Sequence, residues 1–207
     1  MVLGERHGQR ADLERAAALV ATAAERGPVT VALEAVRAEH QDVLDQLSEG
    51  VIRPGRVRRL VDWSEAWGFR FRPYKALLSV DGARYVAAGP KLGPKPEGAE
   101  IPVPEVYEEQ LAEVAASHHA GDDPEAVSKF AEAMAWRDFR IAELAMAGWD
   151  GQSALFVVAG RGHVQGGLGI TWQFDAGLTD AEHVRVLLSP SDECGPGDLV
   201  LGAPPPS

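Results

Sequence analysis

The sequence predicts an α/β fold: a single domain with a mainly parallel sheet flanked by helices and a ligand crevice at the C-terminal ends of its strands. Three observations carry this. Short apolar runs alternate with amphipathic stretches along the chain, the pattern of successive β–α units. Gly and Pro punctuation separates many of them, as at Gly27-Pro28 and Gly50. The 207 residues suit one full domain with a sizeable core, and 45% hydrophobic against 25% charged residues excludes a disordered chain.

The elements follow in order. Met1-Val2-Leu3 reads as a first strand, three residues long, ending at Gly4. That is short for a central strand, so the reading expects either a later start than in its relatives or a truncated strand. Leu13, Ala17, Val20 and Ala24 recur at helical spacing, and Gly27-Pro28 stops that helix. Val29-Thr30-Val31-Ala32-Leu33 is β-branched and apolar, and predicts a buried strand. Val36, His40, Val43, Leu44 and Leu47 line a second helix closed by Gly50, and residues 56–68 predict a third with Leu60, Trp63 and Trp67 on it. Residues 85–88 form a third strand. Five prolines crowd into residues 90–104, which predicts a stiff surface flap. Helices are expected over 105–118 and 124–148, the latter opened by Asp122-Asp123-Pro124. Residues 155–159 and 183–188 supply a fourth and a fifth strand. The domain is expected to span residues 1–190, with 191–207 a poorly ordered or loosely attached tail apart from Leu199-Val200-Leu201.

Composition narrows the function. The net charge is −11, and beyond Arg53, Arg56, Arg58 and Arg59 there is no basic face for nucleic acid. The single cysteine, Cys194, excludes an internal disulfide and a multi-cysteine metal site. No stretch of 18 apolar residues occurs, so no transmembrane segment is expected. The opening MVLGERHG does not read as a signal peptide, and the expected address is the cytoplasm.

Three strands end in acidic or imidazole groups: Gly4-Glu5-Arg6-His7-Gly8, Leu33-Glu34, and Gly160-Arg161-Gly162-His163. Parallel strands would carry Glu5, His7, Glu34 and His163 to one edge of the sheet, where open α/β sheets bind ligands. Two carboxylates and two imidazoles can hold a divalent metal, iron or zinc, with a position left open. Without a metal, a carboxylate beside an imidazole makes an acid–base pair able to activate water. Any one of these positions taken alone reads as a loop residue or helix cap; their convergence is what points to a site. Arg70, Arg72 and Tyr74 form a basic–aromatic cluster suited to a flat anionic ligand, or else a solvated face. Asp138, within a long helix, is either a surface ion pair or a contact to a site histidine. Gly166-Gly167-Leu168-Gly169 reads as a mobile loop over the site. His40, His118, His119, Trp63 and Trp67 read as structural.

Taken together, Gly4-Glu5-Arg6-His7, Ala32-Leu33-Glu34, Arg137-Asp138-Phe139-Arg140-Ile141-Ala142 and Val158-Ala159-Gly160-Arg161-Gly162-His163 resemble the ChaN-like family, which shares a superfamily with the Tiki proteases and the erythromycin esterases. The resemblance runs from residue 1 to about 190. After the third strand this chain carries Ala88-Gly89-Pro90-Lys91 where the family has an Asn-Ala-Pro-Arg-like stretch. The resemblance implies a parallel α/β sheet and a haem- or iron-binding role, with haems paired between two subunits and hence a homodimer. It places the family's site positions on Glu5, His7, Glu34, Asp138 and His163. Haem ligation by tyrosine would fall to Tyr74, Tyr85 or Tyr107, and propionates to Arg70, Arg72 or Lys75. Other branches of the superfamily imply a metal-dependent or acid–base hydrolase of esters or amides, and a degenerate relative would serve as a scaffold.

Overall fold

The computed structural model describes residues 1–91, 95, 98–99, 101, 104–107, 109–111, 123–189 and 199–201. Six strands form one sheet in the order β3-β2-β4-β1-β5-β6: β1 (Val2–Glu5), β2 (Val29–Arg37), β3 (Ala83–Gly89), β4 (Ala154–Gly160), β5 (Arg185–Leu187) and β6 (Leu199–Val200). Every pairing is parallel. The helices are α1 (Arg10–Ala24), α2 (Gln41–Ser48), α3 (Pro54–Leu60), α4 (Trp63–Ala66), α5 (Phe71–Leu77), α6 (Pro124–Gly148) and α7 (Ile170–Gln173). Among the described residues, no helix is long and apolar enough to cross a membrane.

The period of two along each strand divides the core. Leu3, Val31, Leu33, Tyr85, Ala87, Phe156 and Val158 pack with Leu13, Leu44, Val57, Trp63 and Leu77 on one face. Their neighbours Val2, Ala32, Val86, Ala88, Val157 and Ala159 pack with Ile141, Ala142, Ala145 and Ile170 on the other. Strands apolar on both sides are what a doubly covered parallel sheet requires. The same alternation decides which face each polar residue at the strand ends will meet.

Several elements differ from the sequence reading, each for a local reason. Strand β1 reaches Glu5, and β2 runs on to Arg37, with a register irregularity between Leu33 and Arg37 against β3. Glu34 therefore sits at a bulge within the strand, and Val36 belongs to β2 rather than to the following helix. The helix expected over 56–68 is two: Asp62 adopts φ 46°, a left-handed conformation that ends α3 before α4 begins. Gly68, at φ 80°, makes the next break before α5. On α1, Ala16 is buried and Ala17 only partly so. Helix α6 has the expected bounds, with Asp123 capping the N–H of Glu125 at 3.1 Å. Leu199–Val200 pairs with Val186–Leu187 and Leu201 N–H reaches Leu187 O at 2.9 Å, so the apolar triplet set apart from the expected loose tail joins the sheet as an edge strand. Most of the expected 90–104 flap and 105–118 helix, with His118, His119 and Cys194, lies outside the described residues.

At Gly89 the bulge presses on β3. A Cβ there would collide with Glu34 O and lie 2.8 Å from Val36 O, both backbone atoms. No rotamer can relieve such a contact, so G89A is expected to cost about 1–3 kcal/mol. A lowered thermal midpoint by circular dichroism checks this.

Candidate functional site

The carboxyl ends of β2, β4 and β1 lie side by side, with Gly160 on β4 in register with Glu5 on β1. Gly160 is the centre of the site. Its N–H donates to Glu34 Oε2 at 2.7 Å. A Cβ added to it would fall 2.6 Å from His7 Cε1 and 3.4 Å from His163 Cδ2. Only glycine leaves the His7 imidazole its place at this position. Glu5, His7, Glu34 and His163 are thus brought together, as expected.

They arrive from opposite faces of the sheet. Glu5 shares the parity of Leu3 and meets Tyr74 of α5; Glu34 has the parity of Ala32 and meets Arg137 of α6. On the first side, Trp67 Nε1 donates to Tyr74 Oη at 3.0 Å, and Tyr74 donates to Glu5 Oε1 at 2.8 Å. His7 Nδ1 lies 2.7 Å from that same Oε1. The proton placement follows by elimination. Indole N–H only donates, so the phenol accepts it and must give its own proton to the carboxylate. Glu5 Oε1 then accepts from His7 Nδ1–H as well, which leaves Nε2 as the ring nitrogen turned away from that carboxylate. Burial and the Glu5 charge push the Tyr74 hydroxyl well above its usual range, which keeps it a donor. Glu5 Oε2 is buried without a partner among the described residues, so Oε1 does all the anchoring. The loop is fixed from below by Asp12, which accepts from the Arg6 backbone N–H at 3.0 Å and from its guanidinium at 2.9 and 3.0 Å.

The second side is built on paired charges. Arg137 gives Glu34 Oε1 two bonds, at 2.7 and 3.1 Å, and His163 Nε2 stands 3.4 Å from that oxygen. His163 Nδ1 lies 2.5 Å from Asp138 Oδ1, and Tyr107 donates to Asp138 Oδ2. Burial opposes charge on His163, but Glu34 and Asp138 outweigh it and raise its pKa to about 9. Burial likewise works against the Glu34 carboxylate, yet His163, Arg137, His7 and the Gly160 N–H bring it down to about 2. Asp138 is pushed up by burial beyond what His163 and Tyr107 pull back. The result is an ion network in which His163 is an imidazolium held by two acids.

Glu34 and His163, expected as catalysts or metal ligands, are engaged by Arg137, the Gly160 N–H and Asp138, and face each other at 3.4 Å. Among the described residues, no group of three or more His, Cys, Asp or Glu is arranged to hold a metal ion. Asp138 is the contact to a site histidine rather than a surface ion pair. Tyr74 and Asp138 stand behind the imidazoles instead of facing a ligand. All three tyrosines are buried, with hydroxyls donating to Glu5, Asp138 and the Leu77 carbonyl, so none offers the phenolate expected for haem. The expected mobile loop is packed: Gly169, at φ 67°, would set a Cβ 2.6 Å from His163 O and 3.2 Å from Asp138 Cγ.

A cleft of about 350 Å³ opens above this floor, walled by His7, Trp67, Phe69, Met134, Arg137 and His163. The His7 ring meets Trp67 edge-on and Phe69 at a tilt, each with centroids 4.7 Å apart. Trp67 thus belongs to the site, whereas Trp63 is core. Among the described residues, His7 Nε2 makes no hydrogen bond, and the ring is 26% exposed. Sequence reasoning missed Asp12, Arg137, Met134 and Phe69 as parts of the site, and Tyr107, named as a haem-ligand candidate, bonds to Asp138 instead. An acid beside Leu13 on the buried stripe of α1 was a signal for the first, and the adjacent Arg137-Asp138 pair for the second.

A parallel α/β sheet with acid–imidazole pairs at its strand ends defines the class. The family described as haem-binding uptake, Tiki superfamily, ChaN matches over residues 1–90 and 82–174, and the chain belongs to this family. The solved structure described as cofacial haem binding to ChaN of Campylobacter jejuni has the same fold, with a TM-score of 0.76 at 17% identity, covering 96% of this chain and 85% of that one. No curated protein matches the chain.

The network sets a pH window for stability. Glu34 contributes fully above its ordinary value of 4.5 and loses that contribution as pH falls toward 2. His163 contributes fully below its ordinary value of 6.5 and loses it as pH rises through about 9. The thermal midpoint is expected to fall on both sides of a plateau at about pH 4.5–6.5, with H163Q flattening the alkaline fall. In Y74F the buried Glu5 loses a donor, at a cost of about 1–3 kcal/mol, and denaturant titration measures it.

Proposed function

We propose that the chain binds haem as cargo in the strand-end cleft, with His7 Nε2 presented to the iron. The observation that carries this is the asymmetry of the two imidazoles. His163 is an imidazolium with both nitrogens facing carboxylates, while Glu5 holds His7 by Nδ1 and leaves Nε2 without a hydrogen bond among the described residues, on a ring that lines an aromatic-walled cleft. An imidazole backed by a carboxylate is a donor that haem iron takes. Trp67, Phe69 and Met134 supply the apolar surface a macrocycle needs. Membership of a haem-binding family supports the same reading, and cofacial binding in the C. jejuni relative supports extending it to haem pairs in a homodimer.

A divalent iron or zinc ion held by Glu5, His7, Glu34 and His163 would have to displace Arg137 and the Gly160 N–H from Glu34 and Asp138 from His163. In a hydrolase the same two residues would be engaged, which leaves the Glu5–His7 pair as the acid–base candidate.

Titrating haemin into the purified protein is expected to give a saturable Soret shift, with affinity falling roughly tenfold or more in H7A. Identical titrations of wild type and H7A would overturn the role of His7. A stoichiometric, chelatable zinc or iron ion in haem-free protein would favour the metal reading. The mass by light scattering is expected to double on loading.

A further inference from the structure

The insert between β2 and β3 carries a charge opposite to that of the chain. Residues 51–75 hold seven of the 20 Lys and Arg and two of the 31 Asp and Glu, in a chain of net charge −11. Arg53, Arg56, Arg58 and Arg59 lie on or beside the short helix α3, whose buried residue is Val57. All four are exposed, as are Arg70, Arg72 and Lys75 further on. None of the four has an acidic partner among the described residues, whereas Arg6, Arg10, Arg15, Arg37 and Arg137 each meet a carboxylate.

Helix stability does not account for this cluster. Arg58 and Arg59 in the last turn favour the helix dipole, but Arg53 at the N-cap and Arg56 in the first turn oppose it. A spacing of three sets Arg53, Arg56 and Arg59 along one side of the helix. Apolar side chains stand out in water beside them: Val51 is 66% exposed, and Leu60, four residues past Arg56, is 37% exposed. Unpaired arginines among exposed apolar residues match a surface that is anionic outside and apolar beneath, as an acidic bilayer is. Nucleic acid would answer the charge but not Val51 and Leu60, and residues 51–60 contain no aromatic ring on which a base could stack. The acidic remainder of the chain does not prevent the contact, because exposed charges beyond a Debye length of about 8 Å are screened at physiological salt.

We propose that α3 is a peripheral docking surface for anionic phospholipid. Its arginines meet headgroup phosphates through their guanidinium forks, and Val51 and Leu60 enter the interface. Docking needs neither haem nor the ion network at the strand ends. Trp67 and Phe69 of the cleft wall belong to the same insert, so the element that borders the cleft is the one held at the bilayer.

Vesicle flotation with the full chain tests this. Phosphatidylcholine vesicles containing roughly a quarter phosphatidylglycerol are expected to take up wild type roughly tenfold or more over pure phosphatidylcholine, and less as salt is added. The reversal R53E/R56E/R59E is expected to abolish that preference. V51S/L60S is expected to weaken uptake roughly severalfold while keeping its salt dependence. Circular dichroism checks that these exposed substitutions keep the fold, and the two lipid compositions decide on wild type alone. Equal uptake by both vesicles, or a folded reversal without effect, overturns the proposal. Retention on duplex DNA without vesicle uptake overturns it in favour of nucleic acid. Wild-type uptake by V51S/L60S overturns the entry of the apolar residues into the bilayer.

Discussion

The site depends on the hydrogen bond from the Gly160 N–H to Glu34 and on the bare Cα beside it. Strand β4 lies between β2 and β1, so its last residue is the one point that both neighbouring strand ends can reach. Alternation along the strands sends Glu5 toward α5 and Glu34 toward α6, and the two acids each draw a histidine back over the sheet's end. Gly160 is where the two arms meet, and a side chain there would separate them. Packing on both faces of the sheet is thereby converted into the position of two imidazole rings.

The two arms use the same residue types to opposite ends. A tyrosine, a carboxylate and a histidine occur in each, yet the second arm adds another carboxylate and an arginine. That addition fixes His163 as a cation whose charge is cancelled locally, making it a structural strut. In the first arm the carboxylate answers only one ring nitrogen, and the other remains available. Neighbouring charge, more than residue type, separates a histidine that supports a site from one that serves it.

The fold was legible because strand and helix periods are written in apolar residues, and these dominate the core. The convergence of Glu5, His7, Glu34 and His163 was legible too, because parallel strands bring their ends to one edge. What the sequence hid were partnerships set by rotation about a helix axis or by a bulge. Alternation carries Glu34 to the face of α6, but no local pattern announces that Arg137 is the residue it meets there. Tyr74 reads as a ligand from its basic neighbours, but α5 turns it inward while Arg70 and Arg72 stay outside. The break at Asp62 is a conformational choice by a residue other than glycine, with little prior signal.

The three short helices α3, α4 and α5, set apart by Asp62 and Gly68, together form a hood over the end of the sheet. Trp67 and Tyr74 of this hood orient His7, Phe69 closes the cleft, and Arg70, Arg72 and Lys75 stay on its exposed side. Hood and sheet carry separate duties, since the ion network of Glu34, Arg137, Asp138 and His163 draws nothing from this segment. Ligand preference in such an architecture is interchangeable: another insert between the same two strands could retune what is held while the platform beneath stays as it is.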